Sequence, residues 1–176
     1  MPVELYLSAC YPLAVSVNID TRVVGPGDSR YVEEAWHLKE RIRQHEGVLK
    51  QRRGFFTDAY RRSTVYCYVT DGGDGERLVG FAAVRRDGYI LFLAVAPEFR
   101  GEGFGQRLVA KVADNHASVT CHARMTNENA LEFYRHLGFH VERRIDNYYE
   151  DGGGAYYLRL GEEEGIAKRL SDFMRG

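Results

Sequence analysis

Apolar residues recur along this chain with two periods, and the points where the period changes predict its elements. Residues 19–24 read as a first strand, closed by Gly25-Pro26-Gly27. Asp28 or Ser29 stands where a cap would start a helix over 31–50. Along it Val32, Ala35, Trp36, Ile42 and Leu49 share one stripe, with lysines and arginines elsewhere. A short helix is predicted over 55–62. Three strands follow: 63–70, ended by Asp71-Gly72-Gly73, then 77–85, then 89–95 after the hairpin signal Asp87-Gly88. The 89–95 run is apolar on both faces, the pattern of a central strand. From 103 to 115 the period turns helical, with Phe104, Leu108, Val109 and Val112 inward. A strand at 118–123, a helix at 127–137 ended by Gly138, and strands at 139–145 and 155–160 complete the pattern. Residues 1–18 read as an N-terminal extension and 161–176 as a helical tail. Without repeat or linker, 1–176 is expected to be a single α/β domain.

Composition narrows the function classes. Apolar residues make up 44% and charged residues 28% of 176, ordinary for a globular domain. The net charge of −1 argues against nucleic-acid or anionic-membrane binding as the main task. Cys10, Cys67 and Cys121 lie far apart, which suits reduced thiols and a cytoplasmic location better than a disulfide framework. Leu7-Ser8-Ala9-Cys10 has the look of a lipidation box, but no basic or apolar leader precedes it. No apolar run approaches the ~20 residues that span a bilayer, and no residue spacing suggests a metal site.

The candidate chemistry starts at Arg100-Gly101-Glu102-Gly103-Phe104-Gly105-Gln106, between a buried strand and an amphipathic helix. Glycines there let backbone N–H groups approach an anion, and the helix N-terminus adds a favourable dipole. A dinucleotide turn is excluded, because its third glycine position holds Gln106 or Leu108 in the two possible registers. A P-loop is excluded because Gly-Lys-Ser/Thr is absent. On the glycines alone, a phosphate site and a ligand-free turn both remain open.

Two longer patterns change that balance. Val95-x-Pro97-x-x-Arg100-x-x-Gly103-x-Gly105 resembles the acetyl-CoA motif of the GNAT acetyltransferases, and Asn127-x-x-Ala130-x-x-Phe133-Tyr134-x-x-x-Gly138-Phe139 resembles their second motif. The resemblance covers roughly residues 19–160. It implies a GNAT fold: a mixed central sheet of about seven strands, the fourth and fifth splayed apart, with helices on both faces. It also implies acetyl-CoA as co-substrate. The pantetheine arm is then expected along the backbone of Leu93, Ala94 and Val95. The pyrophosphate is expected on amides from Arg100 to Gln106, with Asn127, Ala130 and Tyr134 completing the cofactor site.

The same resemblance assigns the reacting groups. Tyr134 matches the superfamily's usual acid, a phenol near the departing sulfur. With a reference pKa of ~10 it stays protonated at neutral pH. His122, twelve residues earlier, stands where bacterial ribosomal-protein N-terminal acetyltransferases usually carry Glu. The eukaryotic Met-Φ-type enzymes carry His there, beside Asn-Glu-x-Ala-x-x-Phe-Tyr, and this chain matches that run at residues 127–134. Anchored on Gly103, the comparison puts Tyr89 at their second catalytic tyrosine, although Pro97 then shifts by one position. His122, or a water held by Tyr89, is the expected base. Packing alone would also explain each of these residues.

Tyr148 and Tyr149 resemble the Tyr-Tyr loop that walls the substrate groove of N-terminal protein acetyltransferases. An acidic residue common before the last strand is replaced by Gly154. A free α-amine, with a pKa near ~7.7–8.0 against ~10.4 for Lys, needs less help from a weak base. The expected reaction is therefore direct transfer, in a ternary complex, to the N-terminal amine of a protein or peptide. Acetylation of a small amine (polyamine, amino acid or aminoglycoside) and a non-catalytic CoA-binding domain are the alternatives. Basic residues between Lys39 and Arg62 suggest a solvated helix face or weak docking to a ribosome. Monomer and homodimer both remain open.

Overall fold

The computed structural model describes residues 17–161. The first sixteen residues, including Cys10, and the expected tail helix lie outside the described residues. Four strands, β1 (Ile19–Val24), β2 (Thr64–Asp71), β3 (Glu76–Val84) and β4 (Ile90–Val95), form an antiparallel sheet in sequence order. Three more, β5 (Val119–Arg124), β6 (His140–Ile145) and β7 (Ala155–Leu160), form a second antiparallel sheet in the order β5-β7-β6. The sheets meet at one parallel bridge, Tyr89 to Thr120, reinforced by the Thr120 amide donating to the Gly88 carbonyl at 3.1 Å. The mixed character of the sheet comes from that bridge. Beyond it β4 and β5 diverge.

Each face of the first sheet has its own core. Val65, Cys67 and Val69 of β2 pack with Phe81 and Phe92 under α1 (Val32–Glu46) and α2 (Arg53–Arg62). Tyr66 and Tyr68, on alternate positions, face α3 (Phe104–Asn115) with Leu108, Val109 and Val112. The helix α4 (Glu128–His136) adds Tyr134 to that second core. Gly80 is required where β3 meets β4, since a Cβ there would lie 2.9 Å from the Ala94 carbonyl oxygen. Leu91 is an extra residue in β4, because Ile90 pairs Val84 and Phe92 pairs Ala83. Such a bulge bends a strand and re-aims its side chains; Leu91, Leu93 and Val95 are only partly buried and line the gap between the sheets.

The first helix departs from its expected limits. It ends at Glu46, where Gly47 at φ 68° donates its amide to the Arg43 carbonyl. Leu49 therefore belongs to the following loop, and Leu38 and Lys39 are buried in its place. Neither Asp28 nor Ser29 caps the helix: the cap position is Tyr31, at φ 61° with no side-chain bond. Asp28 instead accepts from the Arg30 amide at 2.8 Å. The 39–62 stretch is not a free basic face. Lys39 is fully buried and donates to the Gln51 carbonyl and to Glu40. Arg41, Arg43, Lys50, Arg52 and Arg53 are ion-paired to Glu98, Glu40, Asp151, Glu150 and Glu33.

Candidate active site

The divergence of β4 and β5 opens a groove of about 1260 Å³ that runs from the N-terminus of α3 to the β6–β7 loop. Both halves of the expected machinery line it.

At one end lies the glycine turn. A short turn of 3-10 helix, Pro97–Phe99, follows β4, and Gly101 and Gly103 then take φ of 79° and 82°, in the left-handed region where a Cβ is disfavoured. Nothing lies within 4 Å of where a Gly101 side chain would project. No side chain caps α3, whose first-turn amides have no helical acceptor. Gly105 is hemmed in by the Phe133 ring, 3.3 Å from a would-be Cβ. This is a cradle that side chains would fill, with N–H groups aimed into it, and it fits an anionic diphosphate. Arg100 contributes differently. Its amide is engaged with the Pro97 carbonyl at 3.3 Å, while its guanidinium donates to Val95 O and to Glu46. Its visible role is to tie the turn to β4 and α1. Leu93, Ala94 and Val95 sit on the edge of β4 that faces β5, where no ladder bonds form past the Tyr89 bridge. Asn127 caps α4, its side chain accepting from the Ala130 amide at 3.2 Å.

Mid-groove, α4 brings Tyr134 down against β5. It is 8% exposed, and Phe139 packs on its edge with ring centroids 5.0 Å apart. Burial pushes its phenol well above the usual range, and the Cys121 thiol packs in the same core cluster. Cys121, itself pushed up to about 12 by burial, stays a neutral thiol.

Across the strand, His122 points to the opposite face. The Tyr89 hydroxyl lies 2.6 Å from His122 Nδ1. Tyr148 stacks on the imidazole at 4.3 Å and 12°, and Tyr157 leans on it at 4.9 Å. Burial, then Arg143 and Arg85, lower the His122 pKa, so the ring is neutral at pH 7 and able to accept a proton. Burial raises that of Tyr89, which stays a donor. Tyr148 meets Tyr149 edge-on at 5.0 Å. Tyr149 lies under the Arg124 guanidinium, 3.9 Å from its ring centroid. The expected acid, base and tyrosine loop thus converge on one groove.

Comparison with known proteins gives this arrangement a family. The model of the acetyltransferase (GNAT) domain matches residues 61–141, the stretch that carries the glycine turn, Tyr89, His122 and Tyr134. The chain contains a GNAT acetyltransferase domain. It is similar to N-alpha-acetyltransferase 30 of Xenopus laevis, 34% identical over 99 residues that make up 49% of this chain and 36% of that protein. The N-alpha-acetyltransferase 30 of Saccharomyces cerevisiae is 33% identical over 53% of this chain and 56% of its own length. The chain thus spans about a third of the first of these relatives and about half of the second. Among solved structures, Ard1 from Thermoplasma volcanium superposes with a TM-score of 0.62 at 25% identity, over 82% of this chain and 99% of that one. The ribosomal-protein-S18-alanine N-acetyltransferase of Escherichia coli shares the fold, at a TM-score of 0.63 and 19% identity over 84% and 98% of the two chains. The seven strands with β4 and β5 splayed, flanked by helices on both faces, are the GNAT fold.

Around the GNAT domain's expected residues, the structure adds three that sequence reasoning missed. Cys121 packs in one core cluster with Tyr134. Arg124 and Asp151 pair at 2.9 Å and, through Lys50 at 3.2 Å from Asp151, tie the β6–β7 loop to the α1–α2 loop across the groove. The signal for this was the glycine pair. A Cβ at Gly153 would lie 2.5 Å from Arg124 Nη1, and one at Gly154 would lie 2.7 Å from Met125 Cε. The space beside Gly154 is filled by Met125.

Proposed function

We propose that this chain is an acetyl-CoA-dependent N-acetyltransferase whose acceptor is the N-terminal α-amine of a protein or peptide. The observation that carries the reading is the convergence of Tyr148, His122 and Tyr89 in the groove opposite Tyr134. The solved relatives Naa50 and NAA60 of Arabidopsis thaliana have been captured with a bisubstrate analogue and with acetyl-CoA, respectively, and the NatC complex with a Gag peptide and CoA. Those ligands support the same use of this groove.

In this reading acetyl-CoA supplies the activated acyl group as a thioester. The first-turn amides of α3 and the open turn at Gly101 and Gly103 hold its diphosphate, where the helix dipole favours negative charge. The free edge of β4 over Leu93, Ala94 and Val95 offers peptide groups to the pantetheine arm. Tyr148 and Tyr149 wall the acceptor side and orient the incoming amine. Tyr89 receives the amine proton, directly or through one water, and passes its own to Nδ1 of His122. No net charge then accumulates on Tyr89, and the imidazole carries the proton away from the new amide. Tyr134 gives its phenolic proton to the departing thiolate. Its raised pKa keeps it protonated, so that its phenol can donate to the negative charge that develops on the departing sulfur.

A screen of short peptides and small amines for CoA release, with Tyr134→Phe and His122→Ala as controls, tests the assignment. Release with peptides, strongly reduced in both variants, is expected. Release with small amines alone contradicts the substrate class, and unchanged rates in both variants contradict the chemistry.

A further inference from the structure

Two arginines outside the groove address the same imidazole through aromatic rings. Arg85, just past β3, lays its guanidinium over the Tyr89 ring, 4.6 Å from the centroid, and pairs with Asp87 at 2.5 Å. Arg143, on β6, lies 4.9 Å from the centroid of Tyr157. It is the register partner of Tyr157, which in turn is the register partner of His122, so the three form a row across the second sheet. Neither arginine lines the groove. Arg143 is exposed and has no carboxylate partner among the described residues.

The surroundings of His122 make those charges matter. Tyr89 from the lead into β4, Tyr148 from the β6–β7 loop and Tyr157 from β7 pack against it, with Cys121 beside it on β5. Burial raises the pKa of Tyr89 and of Cys121, so neither carries a charge at pH 7. Asp87 is held by Arg85, and Glu142, next to Arg143 on β6, is held by Arg159, whose guanidinium lies 5.9 Å from the Tyr157 centroid. The field at the imidazole is therefore set largely by the two guanidiniums.

We infer that Arg85 and Arg143 are positioning residues for the proton acceptor, clamping the Tyr89–His122–Tyr157 rings from behind and presenting two fixed positive charges to the imidazole. This rests on the assignment of His122 as acceptor. A fixed cation near a histidine disfavours its protonated form, and a cation over a ring face also holds that ring in register. The direction of the His122 shift agrees, with burial first, then Arg143, then Arg85.

The test is an NMR titration of the His122 imidazole in the full chain, assigned with His122→Gln, for Arg143→Gln, Arg85→Gln and Arg143→Lys. Each Gln variant is expected to raise the midpoint by roughly 0.3–0.5 unit, the scale of one partly screened charge acting across an intervening ring. Arg143→Lys keeps the charge and is expected to titrate like the unchanged protein. The acidic limb of kcat against pH moves the same way in the Gln variants. A midpoint unmoved in both Gln variants, or a Lys variant that shifts as far as Gln, overturns the inference. The titration needs no turnover, so a chain that acetylates no peptide refutes the proposed function and leaves this result to be read separately.

Discussion

The hydroxyl of Tyr89 meets Nδ1 of His122 at 2.6 Å, next to the one bridge that joins the two sheets among the described residues. Tyr89 is itself half of that bridge, and His122 lies two residues beyond its partner Thr120. The pair is thus anchored where the sheets cannot separate, at the closed end of the splay. A short proton path between two strands depends on that anchoring.

The proposed relay makes the pair one unit, so its members are expected to be non-additive. Tyr89→Phe and His122→Ala should each lower kcat by about 10²-fold, the usual weight of one general acid–base group. The double variant should fall little further, since the second change removes a partner already idle. Steady-state kinetics on the same peptide checks this, and multiplicative losses would contradict a shared relay.

Tyr134→Phe isolates the proposed acid. The phenylalanine keeps the ring against Phe139 and Phe133 and removes only the hydroxyl. We expect kcat to fall by about 10²-fold with KM nearly unchanged, because the missing proton is needed only as the thiolate leaves. A rise in KM at unchanged kcat would assign the hydroxyl to binding instead.

The glycine turn is expected to be intolerant of a single methyl group. Gly103 at φ 82° starts α3, and an alanine there should cost about 1–2 kcal/mol from left-handed strain. Urea denaturation reads that cost. Calorimetric titration with CoA should show weaker binding in the same variant, because the first-turn amides are displaced.

Stability should depend heavily on a residue far from the chemistry. Phe56 is fully buried and its ring contacts Trp36, Tyr60, Phe81 and Phe92. Phe56→Ala is expected to cost about 3–5 kcal/mol in denaturant unfolding, through lost transfer energy and a cavity that this close-packed cluster cannot refill.

Much of this was legible in the chain, for identifiable reasons. Strands β1 and β7 fall at the limits their sequence periodicity predicts, and the others within two residues, because each is bounded by glycine, a turn or a change of period. Asn127 and Gly138 mark the ends of α4 as a cap and a left-handed stop. The residues that failed to declare themselves are those whose roles come from distant partners. Lys39 reads as a surface charge until the Gln51 carbonyl folds back onto it. Leu49 continues a helical stripe, but Gly47 ends the helix first. Tyr148 was legible as a wall of the groove, whereas its stacking on His122 depends on the return of β7 beside β5. Cys121 carries no motif, and only packing brings it to Tyr134.

The central claim is that the groove presents an α-amine to the thioester, and site-resolved mass spectrometry measures this directly. A peptide bearing both a free N-terminus and an internal lysine is incubated with the protein and acetyl-CoA, and the acetyl group is located by fragmentation. The account predicts acetyl on the α-amine, lost when the N-terminus is blocked beforehand. Acetyl on the lysine side chain, or continued modification of the blocked peptide, would contradict it.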